Sequence, residues 1–434
     1  MTQEAVGEGP AVPKPKGRPR LLGWDIFRFW GAFAIFMGHN IALAFAVHLG
    51  ENAVPTSPLQ IFVHPQSSSI LIFTAVPVFV MLSGYFALGR PPREGEWDKA
   101  KSSFWKYIVY YWKWLVLALV LFLTVPAIWP AYTPFADQSI GDNFLMVLRN
   151  FVNASLYDPG IISPVALNWF IVGLAWLALL APVMRRFFHQ GDMKMIRSTM
   201  VILTLFMVIF PFIRAAFTPA ATAHPESILL SFGATLNPLN WMLSSWWIVC
   251  FMAGGWLAVD KAAQEFIRRM KWAVVIGLTV VALFIQGIVR YYTIVGGAGL
   301  DDYTNGGWMF SSVMYVIIAY KLNFVIKPDS RVGRFTSSWG TDALGAMIVG
   351  WMFGPAMLTG VFGPVMDWMV TTFWNPSSPM VLTLVWWLFN IVYFIVVFCV
   401  VHLLKRVPIV QNMFLFRGDA KPSWRGASKV AVTK

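Results

Sequence analysis

The stretch Trp272-Ala-Val-Val-Ile-Gly-Leu-Thr-Val-Val-Ala-Leu-Phe-Ile-Gln-Gly-Ile-Val-Arg290 decides the fold class. No charge interrupts it before Arg290. A helix needs about 20 mostly apolar residues to cross the hydrocarbon core of a bilayer, and this run supplies them. Nine more such runs follow the same pattern: 23–48, 69–89, 106–128, 167–184, 198–217, 241–259, 307–326, 339–360 and 380–404. The expected fold is therefore all-α, a polytopic membrane helix bundle with about ten transmembrane helices.

Composition agrees. Of 434 residues, 58% are hydrophobic and only 12% charged. A soluble domain carries roughly 25% charged residues, so half that proportion leaves too little polar surface to solvate the body. The 22 Trp fit belts at the two bilayer surfaces, where an indole keeps its ring in acyl chains and its N–H in headgroups. The net charge of +13 sits in short segments between apolar runs, not in a basic stripe with interleaved aromatics. That excludes nucleic acid as a partner and points to a lipid bilayer. Cys250 and Cys399 both lie in apolar runs without a C-x-x-C partner, so no disulfide or zinc site is expected. His48, His64, His189, His224 and His402 have no metal-ligand spacing, and no metal is expected. Residues 1–20 read as a disordered basic cytoplasmic tail without a signal-peptide core, 21–405 as one membrane domain and 406–434 as a second basic cytoplasmic tail.

Charge fixes an expected orientation. With the N-terminus inside, the inner segments hold Arg90, Arg93, Lys99, Lys101, Arg185, Arg186, Lys194, Arg197, Lys261, Arg268, Arg269, Lys327, Arg331 and Arg334, besides the two basic tails. The outer loops hold Arg149, with Arg214 and Arg290 at span ends, and carry acids such as Glu51, Asp137, Asp301 and Asp302. The positive-inside rule then puts both termini in the cytoplasm of a multi-pass protein of the cell membrane.

The first run contains the chemistry: Gly23-Trp-Asp25-Ile-Phe-Arg28, then ten residues, then His39-Asn40. Ionisable groups within a membrane are costly and functional by default. Eleven residues is close to three helical turns, so Arg28 and His39 share one face, with His39 roughly 16 Å deeper. Asp25 sits one turn before Arg28 and is placed to orient it. His39 is the side chain suited to take and return a proton near neutral pH. These residues describe a polar stripe reaching across most of the bilayer.

The Asp-x-x-Arg…His pattern resembles the acyltransferase family 3 proteins, integral-membrane enzymes that move acyl groups from cytoplasmic acyl-CoA to extracytoplasmic glycans. The second run, Val76-Pro77-Val78-Phe79-Val80-Met81-Leu82-Ser83-Gly84-Tyr85, is similar to that family's motif. Trp169-Phe170 with a closing Pro182, and Gly254-Gly255, extend the likeness thinly over about 22–405. Two places depart from it. Leu167-Asn168-Trp169 stands where the family has His-Leu-Trp, and Met347 and Gly350 stand where it has Tyr and His. The resemblance implies a membrane O-acyltransferase using acyl-CoA, chiefly acetyl-CoA, as donor substrate, and a hydroxyl of an extracytoplasmic glycan or glycolipid as acceptor. It implies His39 as base, Arg28 and Asp25 beside it, and Arg90 and Arg93 on the phosphates of CoA.

Other residues stand out singly. Ser83-Gly84 is a small pair suited to close helix packing, with Tyr85 free to line a pathway. Trp169 is a belt residue that also has the ring for stacking on a sugar. Arg290 is a cation on the outer side, suited to an anionic acceptor or to a pair with Asp301 or Asp302. A homo-oligomer is left open. The alternative function is a transporter or flippase for a lipid-linked or glycan substrate, in which the same stripe conducts. The absence of an internal repeat weighs against it.

Overall fold

Within a bilayer a backbone must satisfy its own hydrogen bonds, and among the described residues the long apolar runs do so chiefly as helix, the runs 198–217 and 339–360 lying partly outside the described residues. The computed structural model describes residues 21–40, 45–124, 169–206, 245–296, 307–327, 330–340, 342–343, 345–347, 349–350, 361–404 and 406–407. Among them the helices are α1 (Leu22–Asn40), α2 (Ala46–Leu49), α3 (Ser67–Leu88), α4 (Glu96–Thr124), α5 (Trp169–Gln190) and α6 (Ser245–Val259). Then come α7 (Lys261–Arg269), α8 (Trp272–Gly296), α9 (Gly307–Leu322), α10 (Arg331–Trp339), α11 (Gly363–Phe373) and α12 (Met380–Leu404). Residues 193–206 are also helical, and no described residue is in a strand. Four helices, α3, α5, α8 and α12, are long and apolar enough to cross a membrane, and shorter apolar helices lie within α6 and α9. This is the make-up of a helical membrane protein.

Boundaries differ from the sequence expectation where local chemistry intervenes. Of the first run, α1 is described to Asn40 and α2 from Ala46 to Leu49, and residues 41–44 lie outside the described residues. Glu96 and Asp98 stand in the first turn of α4, a favourable place for acids at a helix N-terminus, and start it ten residues before the apolar run. Pro182 does not close α5, which runs on to Gln190. Helices α7 and α10 form in segments that read as loops. Asp260 caps the first by accepting from the backbone N–H groups of Ala262 and Ala263. Ser330 caps the second by accepting from Gly333.

Helix α3 is the hub, packed against α1, α5, α6, α8 and α9. Its crossing with α6 brings backbone onto backbone. A Cβ on Gly84 would run into the Phe251 carbonyl, and one on Gly254 into the Met81 carbonyl. Of the Ser83-Gly84 pair, Gly84 makes the close helix contact expected of it. Helix α1 is wrapped by α3, α9, α10 and α12. From Gly31 to Asn40 every one of its residues is buried. Asn40 Nδ2 donates to Asn390 Oδ1 of α12 at 2.7 Å, a polar tie deep in an apolar body.

Hydrogen bonds sort the helix termini into two ends. At one end Gly23 N–H donates to Asn323 Oδ1 at 2.7 Å, joining the start of α1 to the end of α9. The end of α3 and the start of α4 meet the end of α5 there, through Ala87, Glu96 and Arg185. At the opposite end the turns before α3 meet α2, α11 and the start of α12. Thr383 Oγ1 donates to the Val63 carbonyl at 2.7 Å, and His48 Nδ1 lies 2.6 Å from Asp367 Oδ1.

Candidate functional site: a basic cleft beside the first helix

The last carbonyls of a helix lack intrahelical donors, and basic side chains can supply them. At the end of α3 they come from α5. Arg185 donates Nε and Nη2 to the Ala87 carbonyl at 3.1 and 2.8 Å, and His189 Nε2 reaches the Leu88 carbonyl at 2.9 Å. Arg185 Nη1 also pairs with the buried Glu96 at 3.0 Å, and Arg186 Nε reaches the same carboxylate at 3.2 Å. These bonds fix α3, α4 and α5 around an open space.

That space is a cleft of two joined basins. The deeper one, about 400 Å³, lies between α1, α3, α4, α5 and α6 and is lined by Arg28, Phe79, Leu82, Ser83, Phe86, Arg90, Tyr107, Leu174 and Phe251. The shallower one, about 300 Å³, is lined by Arg90, Arg93, Glu96, Lys99, Ser103, Tyr107, Pro182 and Arg185. Ala87, Arg90, Tyr107 and Ala178 border both, so the two adjoin. Five cations face this cleft against one carboxylate, Glu96, which two arginines already occupy. The balance suits an anion with several phosphate oxygens. Arg28 commits Nη1 to Asp25 Oδ1 at 2.8 Å and lies 5.4 Å from the centre of the Phe86 ring. Asp25 itself is buried, so the pair orients the guanidinium as the sequence suggests.

Three predicted residues, Arg28, Arg90 and Arg93, are thereby brought together. His39 is not among the residues lining either basin. It is buried, with Nδ1 2.7 Å from the Ile35 carbonyl. A carbonyl only accepts, so in the neutral ring Nδ1 carries the proton and Nε2 keeps the lone pair, the tautomer a base needs. Between the floor of the cleft and His39 lies packed α1 rather than the continuous polar tunnel that the spacing suggests. Tyr85 does not line the cleft. Its ring stands 5.1 Å from Trp24 and completes the contact of α3 with α1. Trp169 begins α5, and its side chain falls outside the described residues. Arg290 Nε donates to Ser69 Oγ at 3.1 Å, while Asp301 and Asp302 lie outside the described residues.

Several functional-looking groups escaped the sequence. Arg185 read as one more inner cation, although it builds the cleft wall. Tyr107 opens an apolar run and Ser103 lies just before it, with no motif around either. Asp260 joins three segments: it caps α7, accepts from Trp256 Nε1 at 2.9 Å and takes both Nε and Nη2 of Arg197 at 2.7 and 2.9 Å. The Arg197 guanidinium holds its carboxyl well below the usual carboxylate range. His402, read as having no role, pairs through Nδ1 with Asp342 Oδ2 at 3.0 Å. Buried Gln286 ties α8 to α3 and α9 through Thr74, Ser311 and the Ile70 carbonyl. None of these has a spacing that singles it out; each depends on partners far away in the chain. No group of three or more metal-ligating side chains occurs among the described residues.

Set beside known proteins, the chain matches no family model, no curated protein and no solved structure.

Proposed function

We propose that the chain is a membrane O-acyltransferase of the acyltransferase family 3 kind. It moves an acetyl or other short acyl group from cytoplasmic acyl-CoA to a hydroxyl of an extracytoplasmic glycan or glycolipid. The protein sits in the cell membrane with both termini in the cytoplasm. The observation that carries the reading is the cleft. Arginines from α1, from the turn after α3 and from α5 meet around a space that is basic at its mouth and apolar at its base. An acyl-CoA has the same order of parts: charged nucleotide phosphates, then a thin pantetheine arm, then the acyl group. Arg90 and Arg93 hold the phosphates, and Arg28, fixed by Asp25, receives the arm.

The chemistry is that of the family the chain resembles. The acceptor hydroxyl arrives from the other face of the membrane. His39 Nε2 takes its proton as the oxygen attacks the thioester carbonyl. The carbon–sulfur bond breaks, a carbon–oxygen ester bond forms, and the proton leaves with the CoA thiolate as CoA thiol. A positioned base contributes about 10² to 10⁴ in rate, with alignment of the two substrates supplying much of the rest. Arg290, beside Ser69, and Trp169 are the side chains proposed for the acceptor.

The test is purified full-length protein in lipid nanodiscs with labelled acetyl-CoA and an envelope glycan extract. Transfer of label to glycan, or slow hydrolysis, is expected to fall about 10² to 10⁴-fold in His39→Ala, with CoA still bound. Arg90→Ala and Arg93→Ala are expected to raise the KM for acetyl-CoA. Glycan or lipid flux without acyl turnover would replace this reading with the transporter.

A further inference from the structure

At the end of the bundle opposite the basic cleft, two short helices are seated by their apolar side chains. Helix α2 buries Leu49, and Phe45 just before it stacks on Trp386 of α12 with ring centres 4.0 Å apart. Helix α11 buries Met366 and Met369, which join Leu382 and Trp386 in the same cluster. His48 precedes Leu49 and Asp367 follows Met366, so this packing carries the imidazole onto the carboxylate. Nδ1 lies 2.6 Å from Oδ1. A carboxylate only accepts, so in the neutral ring Nδ1 carries the proton and Nε2 keeps the lone pair. Nε2 is buried and has no partner among the described residues. Room lies beside the ring. Among the described residues and beyond its own chain neighbours, a Cβ on Gly363 would approach only His48, with Cε1 at 3.9 Å. The Asp367 side chain is 65% exposed, whereas that of His48 is only 11% exposed. The pair therefore presents a recessed acceptor and, next to it, a carboxylate open to solvent.

We propose that this pair is a subsite for the acceptor: His48 Nε2 takes a hydrogen bond from one hydroxyl of a sugar ring, and Asp367 takes one from the neighbouring hydroxyl. The ligand class, and the placing of this end outside the cell, come from the acyltransferase reading above, on which this proposal rests. Both protein groups accept, so the ligand has to donate, and the carboxylate turns away anionic groups. Two ligands are too few for a metal site, and no group of three occurs among the described residues. A buried acceptor without a donor is costly, and a bound hydroxyl removes that cost. His48 is a binding residue here. Asp367 also positions it, holding the ring in the tautomer that presents a lone pair. Arg290 and Ser69, at the start of α3, stand at the same end of the bundle.

The experiment measures binding of the fluorescently labelled envelope glycan extract to the full chain in nanodiscs, with CoA binding and melting followed on the same samples. Three variants are compared with the unaltered protein. His48→Asn keeps an N–H near the place where Nδ1 donates to Asp367 but has nothing in place of Nε2. His48→Ala removes both. Asp367→Asn keeps an oxygen for Nδ1 and loses the charge. Glycan binding is expected to weaken about tenfold in both His48 variants and about threefold in Asp367→Asn, with CoA binding within about twofold throughout. Full glycan binding by His48→Asn, with loss confined to His48→Ala, reduces the pair to a tie between α2 and α11 and overturns the inference. Where a His48 variant melts early, Asp367→Asn, at an exposed position, decides: unchanged glycan binding there overturns the inference. So does an unaltered chain that binds no glycan. An unaltered chain that binds glycan, loses it in His48→Asn and turns over no acetyl-CoA sinks the enzyme reading and leaves the hydroxyl subsite standing.

Discussion

The two flanks of α3 differ in kind although they begin at adjacent residues. Gly84 lies against the Phe251 carbonyl of α6, with no side chain between the two backbones. Ser83, one residue earlier, lines a cleft of about 400 Å³ shared with α4 and α5. Close-packed interiors leave few voids, and a dry cavity costs stability in proportion to its volume. The cleft escapes that cost because guanidinium and hydroxyl groups line it and it opens at the basic mouth, so water can fill it. The α6 flank makes this workable. A helix fixed by backbone contact on one side keeps its place while the other side stays open.

The strongest way to break the contrast is Gly84→Leu. Four heavy atoms would be forced into the α3–α6 contact, so a loss of about 3 kcal/mol or more is expected, read as a lower melting temperature and less monodisperse protein in detergent. Wild-type melting would show that the helices are not held there.

The far end of α3 offers a second lever. His64, just before α3, sends Nε2 to the Asn52 carbonyl at 2.9 Å and accepts from the Gln66 N–H at Nδ1. Both nitrogens are used only by a neutral ring. Burial pushes its pKa down to about 4 from the ordinary 6.5. The unfolded chain therefore takes up the proton first as pH falls, and stability drops between about pH 6.5 and 4 and then levels off. The expected loss is about 3 kcal/mol, absent in His64→Gln. A melting temperature that is flat across that window in the unaltered protein would remove the claim.

On the cleft side, Ala178→Phe should fill the junction of the two basins. CoA binding is expected to weaken at least tenfold, about 1.4 kcal/mol, with melting unchanged. A fall in melting instead would make that flank structural. The smallest effect is expected at Gly277 in α8, where a Cβ meets nothing within 4 Å. Gly277→Ala should stabilise by about 0.5–1 kcal/mol, the reverse of Gly84. The same residue type would then give opposite signs according to what it faces.

Helix content, and the four helices long and apolar enough to cross a membrane, were legible from composition and run length, because a bilayer imposes both. The cap residues Asp260 and Ser330 were in plain view, but in charged segments that a span search passes over as loops. Arg28 with Asp25 could be read from their spacing, since three residues is one turn. The cleft itself could not. Its walls come from α1, α3, α4, α5 and α6, and Arg185 meets Glu96 across 89 positions. Periodicity shows which face of a helix is polar, but not which helix stands opposite. That is also why the stripe from Arg28 to His39 looked like a tunnel: Phe79, which packs on Gly31 between them, belongs to a separate run.

The bond between Asn40 and Asn390 bears on how the protein is made. Its partners are 350 residues apart. At about 5–20 residues per second, the ribosome needs roughly 20 to 70 seconds to deliver the second amide after the first. Through that interval the opening helix, which carries an acid, an arginine, a histidine and an asparagine, has no closing wall from α12. It is made well before the helix that closes over it. Damage to α12 should therefore surface as a failure to retain α1 in the membrane.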